Sequence, residues 1–306
     1  MKCNRISCGN ANRKNFIVRK EIKMKTCFAA VVSALALQAI GDVPFKLGIA
    51  GYTFNNVGLD KGLATMKAID CHYLCHKDKF LSYDATEEEI KAYYEKLKAA
   101  RVECTATGPL YACDKASLVK QFEFAKKAGI KILIGVPYEV EKGKKDGWGS
   151  QRRESDAVLD IIEELVKKYD VYYAIHNHGP DLPTLYPTGD SIMKRIEKRD
   201  ARIGICFDVG HERRAGNDPI EFIRRHSDRI FDIHLKNIKI DKVRNLAKEG
   251  PRGELDIPGI LTALTEVGYK GVCHIEYEKD FNDNAMGLAE SVGYYRGVMD
   301  SIKVKK

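Results

Sequence analysis

Eight short apolar or β-branched runs, bounded by turn residues, lie between residues 46 and 275 and read as strands. They cover residues 46–50, 72–75, 102–107, 131–136, 171–175, 203–207, 230–233 and 272–275. Between them, apolar positions recur at helical spacing over residues 86–100, 115–128, 155–168, 191–198, 219–226, 258–267 and 285–302. Thr86-Glu87-Glu88-Glu89 opens the first of these as a capping box. Gly129 and Gly268 stand where helix C-caps belong, and Pro258 falls in the first turn of its helix. Strand and helix alternating over about 260 residues is the count and size of a closed (β/α)8 TIM barrel, an α/β fold. A doubly wound open sheet is the rival. It calls for a glycine-rich phosphate turn after the first strand, where this chain has Ala50-Gly51-Tyr52-Thr53-Phe54.

The candidate chemistry sits where four strand runs end. The segments are Ile175-His176-Asn177-His178, Phe207-Asp208-Val209-Gly210-His211, Ile233-His234-Leu235-Lys236 and Ile275-Glu276-Tyr277-Glu278. In a barrel, chemistry gathers at the C-terminal strand ends. His176, Asp208, His234 and Glu276 form a mixed nitrogen and oxygen set suited to one divalent ion; Mn2+ is the first expectation, and Mg2+, Co2+ and Zn2+ suit the same donors. Residues two apart on a strand share a face, so His178, Lys236 and Glu278 are expected to ring the substrate. His211 is expected on a loop beyond its strand. Lys77 and Asp78, after the second strand, face the same mouth, with a rim ion pair as the alternative. His274 reads as deeper core, and His72 and His226 as structural. Residues 142–150 hold the only Trp, Trp148, flanked by glycines, which suits stacking on a sugar ring; a plain exposed loop is the alternative.

The N-terminus changes how charge is read. Residues 27–39 are uncharged and largely apolar, Lys23 and Lys25 precede them, and small residues follow: the order of a secretory signal. The expectation is a leader over residues 1–40, cleavage between Ala36 and Gly41, a periplasmic product, and one barrel domain over 41–306. Met24 is a second candidate start, and a buried N-terminal helix is the alternative to a signal. The run is short for a bilayer span, so no stable membrane insertion is expected. The whole chain carries net charge +8, but residues 1–39 hold eight Lys or Arg and one Glu, leaving 43 basic against 42 acidic. That balance argues against a nucleic-acid partner. Of nine cysteines, six follow the leader, and no spacing reads as a disulfide framework or zinc knuckle.

From Phe45 to the C-terminus the chain resembles the sugar isomerase and epimerase superfamily, the xylose-isomerase-like barrels, through Asp-x-Gly-His at 208–211, His-x-Lys at 234–236 and Ile-Glu-Tyr at 275–277. Tagatose and psicose 3-epimerases, hydroxypyruvate isomerases, 3-keto-glycoside lyases or hydratases and endonuclease IV belong to this group. The resemblance implies a divalent ion, commonly Mn2+, held by Asp208, His234 and Glu276, with His211 close to ion or substrate. The family usually has Glu-Asn-His where this chain has His176-Asn177-His178. Replacing that Glu breaks the opposed carboxylate pair used for stereo-inversion. The expected function is metal-dependent proton abstraction next to the carbonyl of a keto-sugar, with Glu276 or His211 as base. A 3-keto-glycoside lyase or hydratase, a non-catalytic sugar-binding barrel and an endonuclease-IV-like phosphodiesterase are the alternatives. The last needs further metal ligands on earlier strands, where only Glu139 offers itself. The partner expected is a small sugar or keto-glycoside, and self-association into a homo-oligomer stays open.

Overall fold

The computed structural model describes residues 43–146, 151–180, 185–241 and 245–302. The leader and Trp148 lie outside the described residues. Eight parallel strands close into a barrel. They are β1 (Lys46–Ala50), β2 (Tyr73–His76), β3 (Glu103–Ala112), β4 (Ile132–Pro137), β7 (Tyr172–His176), β8 (Ile203–Asp208), β9 (Ile230–Leu235) and β12 (Val272–Ile275). The ring runs β1-β12-β9-β8-β7-β4-β3-β2, so each strand pairs with its chain neighbours and β12 returns to β1. Lys46 to Ile49 pair in register with Val272 to Ile275, which seals the barrel.

The outer helices are α1 (Gly58–Ala68), α2 (Glu87–Ala99), α3 (Lys115–Ala128), α4 (Asp156–Tyr169), α5 (Gly189–Ile196), α6 (Val209–Arg214), α7 (Pro219–His226), α8 (Ile257–Glu266) and α9 (Ala285–Ser301). The hydrophobic pattern assigns no range to α1, whose face is built on Gly62, Leu63, Thr65 and Met66. The expected cap at Thr86 is present. Its side chain accepts from Glu89 N at 3.2 Å, and the Glu89 carboxylate accepts from Thr86 N at 2.8 Å. Gly129 and Gly268 both take positive φ, at 70° and 68°, where their helices end.

Two small hairpins, β5 (Glu139–Val140) with β6 (Arg152–Arg153) and β10 (Ile238–Ile240) with β11 (Asn245–Ala247), follow β4 and β9. Strand β3 continues five residues past its expected end at Thr107, through a register shift before Leu110. Gly108 makes this possible: its φ is 141°, and a Cβ there would lie 2.2 Å from the Ile134 carbonyl oxygen. One large core of buried side chains fills the layer between strands and helices. Inside the barrel, Cys75, Ala106, Ile134, Ala174 and Cys206 form a smaller cluster below the strand ends. Cys71, Cys75, Cys104, Cys113, Cys206 and Cys273 are free thiols. Among the described residues, no helix is long and apolar enough to cross a membrane.

Candidate metal centre

His176 and Asp208 end β7 and β8, His234 is the penultimate residue of β9, and Glu276 follows β12 by one. Strand pairing sets Asp208 level with His234. The backbone N–H of Glu276 donates to Leu235 O at 3.1 Å. Thr53, after β1, locks the same turn: its hydroxyl donates to Ile275 O at 3.3 Å and accepts from Tyr277 N at 2.9 Å. Asn177 ties β7 to β8. Its side-chain oxygen accepts from Asp208 N at 2.7 Å, and its amide donates to Asp208 O at 3.1 Å and to Glu212 on α6 at 3.3 Å.

These clamps bring one donor atom from each of His176, Asp208, His234 and Glu276 within 4.8 Å of the others. His176 Nε2 lies 3.7 Å from Asp208 Oδ2, and His234 Nδ1 lies 3.4 Å from Glu276 Oε1. All four side chains are buried. Among the described residues, both ring nitrogens of His176, both of His234, and Oδ2 of Asp208 have no hydrogen-bond partner. Buried polar atoms are nearly always paired, because desolvation without a partner costs about 1–3 kcal/mol each. One such atom from each of His176, His234 and Asp208, converging with a Glu276 oxygen, fits a cation with nitrogen and oxygen ligands.

Lys236 is more deeply placed than a rim position would be. Its ammonium is 2.8 Å from Glu276 Oε2, 2.9 Å from Glu278 Oε2, 3.4 Å from Asp208 Oδ2 and 3.0 Å from His211 Nε2, with the side chain only 3% exposed. Burial opposes its charge, but Asp208, Glu276 and Glu278 outweigh that and hold its pKa well above the ordinary value. Against the same burial, Lys236 and His234 hold Glu276 well below the usual carboxylate range. Lys236 and His211 do the same for Asp208. Glu278 is raised, by burial first and by Glu276, against the opposing pull of Lys236.

The expected loop position of His211 is corrected: it lies inside α6. Asp208 caps that helix, accepting from His211 N at 2.7 Å, so the helix starts directly at the strand end. His211 Nδ1 meets Arg214 Nη1 at 2.9 Å and Nε2 meets Lys236, so cations face both ring nitrogens. Burial and then Lys236 push its pKa well down. Its ring lies against that of His178, with centroids 4.2 Å apart and planes tilted by 40°.

Above the donors opens a cavity of about 160 Å³, lined by Tyr52, Lys77, Pro109, Tyr111, His176, His178, Lys236, Glu276 and Glu278. Lys77, His178, Lys236 and Glu278 therefore converge there as the strand positions imply. Lys77 also pairs with Asp78 at 3.0 Å and donates to Pro109 O at 3.0 Å. Tyr52 and Tyr111 are site residues the sequence reading did not single out; their only signal is that they follow or end β1 and β3. Glu139 is taken up by Arg153 and Ser155 on the β5–β6 hairpin, away from the donors. His72 bonds Asp70, and His226 lies near Asp190 and Phe222, as structural histidines do.

The family model for xylose isomerase-like TIM barrels matches residues 66–297. A rhizopine catabolism protein, MocC of Rhizobium meliloti, is 29% identical over 140 residues, 40% of this chain and 42% of its own. An inosose dehydratase of Geobacillus kaustophilus is 29% identical over 113 residues, 32% of this chain and 37% of its own. The chain thus matches about two-fifths of the length of these curated relatives. The crystal structure of the IOLI protein with a bound zinc atom superposes over 86% of this chain and 100% of that one, with a TM-score of 0.65 at 19% identity.

Proposed function

The chain belongs to the xylose isomerase-like TIM barrel family, and from that premise we propose that it is a divalent-metal enzyme acting on a small keto-sugar or related keto-polyol. It removes the proton next to the carbonyl, and a hydroxyl on the adjoining carbon then leaves as water. The carrying observation is one-sided: among the described residues the carboxylates lining the cavity, Glu276 and Glu278, both follow β12, while His176, His178, Lys77 and Tyr111 line the rest. Stereo-inverting proton exchange needs a base on each face of the substrate; elimination needs one base beside the acidified C–H. Likeness to inosose dehydratases supports the same reading.

His176, Asp208, His234 and Glu276 would hold the ion, as their unpartnered atoms suggest. A bound divalent ion supplies Lewis acidity toward a substrate oxygen, and the zinc of the structurally similar IOLI protein supports a divalent choice. Of the two groups read as bases, Glu276 lines the cavity and His211 does not, so Glu276 takes the proton. Lys236 fixes Glu276 in place through Oε2. The departing hydroxyl draws its proton from the cavity donors Lys77, His178 and Lys236. The cavity is small beside the roughly 300–1,000 Å³ of drug-sized sites, which suits one sugar ring.

The test is incubation of metal-loaded protein with 3-keto-glycosides and free ketohexoses in D2O. Loss of water from the ketohexose is expected, with deuterium entering the carbon that gave up its hydroxyl as the enol product ketonises, while a 3-keto-glycoside would release its aglycon alcohol instead; Glu276→Gln should lose about 10²–10⁴ in rate. Epimerised product without elimination would replace the dehydratase reading by an epimerase one. Full metal with no turnover would leave a sugar-binding barrel. His176→Glu should keep metal and gain slow C3 exchange, and His176→Ala should lose metal. Full metal in His176→Ala would overturn the four-donor set.

A further inference from the structure

One layer below the donors, the barrel interior carries a charge where bulky branched side chains are usual. Asp232 on β9 and His274 on β12 each lie two residues before a donor, His234 and Glu276, and so face the same interior. Both are fully buried. His274 Nδ1 donates to Asp232 Oδ1 at 2.9 Å, and its Nε2 lies 2.9 Å from the Thr105 hydroxyl, which reaches Leu74 O at 3.4 Å. The fold makes room for this ring: Gly48 faces it on β1, and a Cβ there would come 2.7 Å from His274 Cδ2.

A buried carboxylate costs several kcal/mol unless its surroundings compensate it. The ring of His234 stands between two carboxylates. Its Nδ1 faces Glu276 Oε1 at 3.4 Å, and its otherwise unpartnered Nε2 faces Asp232 Oδ1 at 4.0 Å. A histidine that binds a metal through one nitrogen commonly gives its other N–H to a carboxylate, which fixes the tautomer and the ring direction. We propose that Asp232, held by His274 and Thr105, is a positioning residue for His234: it accepts the Nε2–H after a small ring rotation and leaves Nδ1 for the ion. The inference rests on the reading of His176, Asp208, His234 and Glu276 as the metal-binding set.

The experiment compares wild-type, Asp232→Asn and His274→Gln for Mn2+ affinity, by competition with a chelating dye, and for the visible spectrum of the Co2+-loaded protein. Asp232→Asn should bind Mn2+ about 10–100-fold more weakly, with an altered Co2+ spectrum. His274→Gln should shift both in the same direction by less. A purely structural role would lower Tm and leave affinity and spectrum of the folded protein unchanged; that result would overturn the proposal. If Asp232→Asn does not fold, unchanged values in His274→Gln overturn it alone. Absence of metal binding in wild-type protein would bring down the metal reading and this inference together. Binding in wild-type with no change in the variants would bring down this inference only.

Discussion

Lys236 shows how much one side chain can change the chemistry around it. Without a cation at its position, Asp208, Glu276 and Glu278 would face one another in a buried space, and like charges there repel strongly. A second buried titrating group, His76 at the end of β2, lies away from the metal-binding set. Its Nδ1 meets the Tyr93 hydroxyl at 3.0 Å and its Nε2 meets Leu81 O at 3.1 Å. The rings of Phe80, Tyr83 and Phe124 pack around it, and Lys77 and Asp78 are the nearest charges. Burial lowers its pKa to about 4. The unfolded chain binds this proton near pH 6.5 and the folded one only near 4. Stability from His76 is therefore complete above pH 6.5 and is lost as pH falls from 6.5 toward 4, by on the order of 3 kcal/mol. Urea midpoints at pH 7 and pH 4.5 for wild-type and His76→Gln check this. The wild-type drop should exceed that of the variant, and equal drops would remove His76 from the acid response.

At the scale of elements, the site depends on how strand ends are tied together. Asn177 bonds both backbone polar groups of Asp208 and also Glu212, which in turn accepts from Gly189 N at 2.8 Å and from Asn217 at 2.9 Å. One amide thus joins β7, β8, α5 and α6. Asn177→Ala removes three buried hydrogen bonds and should cost about 2–4 kcal/mol. It also frees His176 to move relative to Asp208. Mn2+ affinity should fall more in this variant than in Thr86→Ala, which breaks a surface capping box for about 1 kcal/mol and leaves the donors alone. Thermal melts with and without Mn2+ measure both effects. Equal metal affinity in the two variants would show that the Asn177 bonds carry stability alone.

For the whole molecule, export remains a proposal carried by residues 27–39 and the two lysines before them. Sequencing the N-terminus of protein purified from its native host should find a start between about Leu37 and Asp42; an intact leader on cytoplasmic protein would end it. Much of the barrel was legible along the chain. Strand runs, helix periods, the Thr86 box and the glycine caps are local patterns, and α3, α7 and β12 begin and end where those patterns place them. Strand-end positions for His176, Asp208, His234 and Glu276 were legible for the same reason, since barrel topology brings successive strand ends to one mouth. The pattern gave no range for α1 and stopped β3 early, because Gly108-Pro109 looks like a breaker until Ile134 is seen packed against it. The depth of Lys236, the sealing of His211 by Arg214 and Lys236, and the Asp232–His274 pair under His234 were decided by the tertiary structure alone. Burial and charge pairing there depend on side chains from different strands, and their separations follow from closing the sheet, which no local pattern encodes.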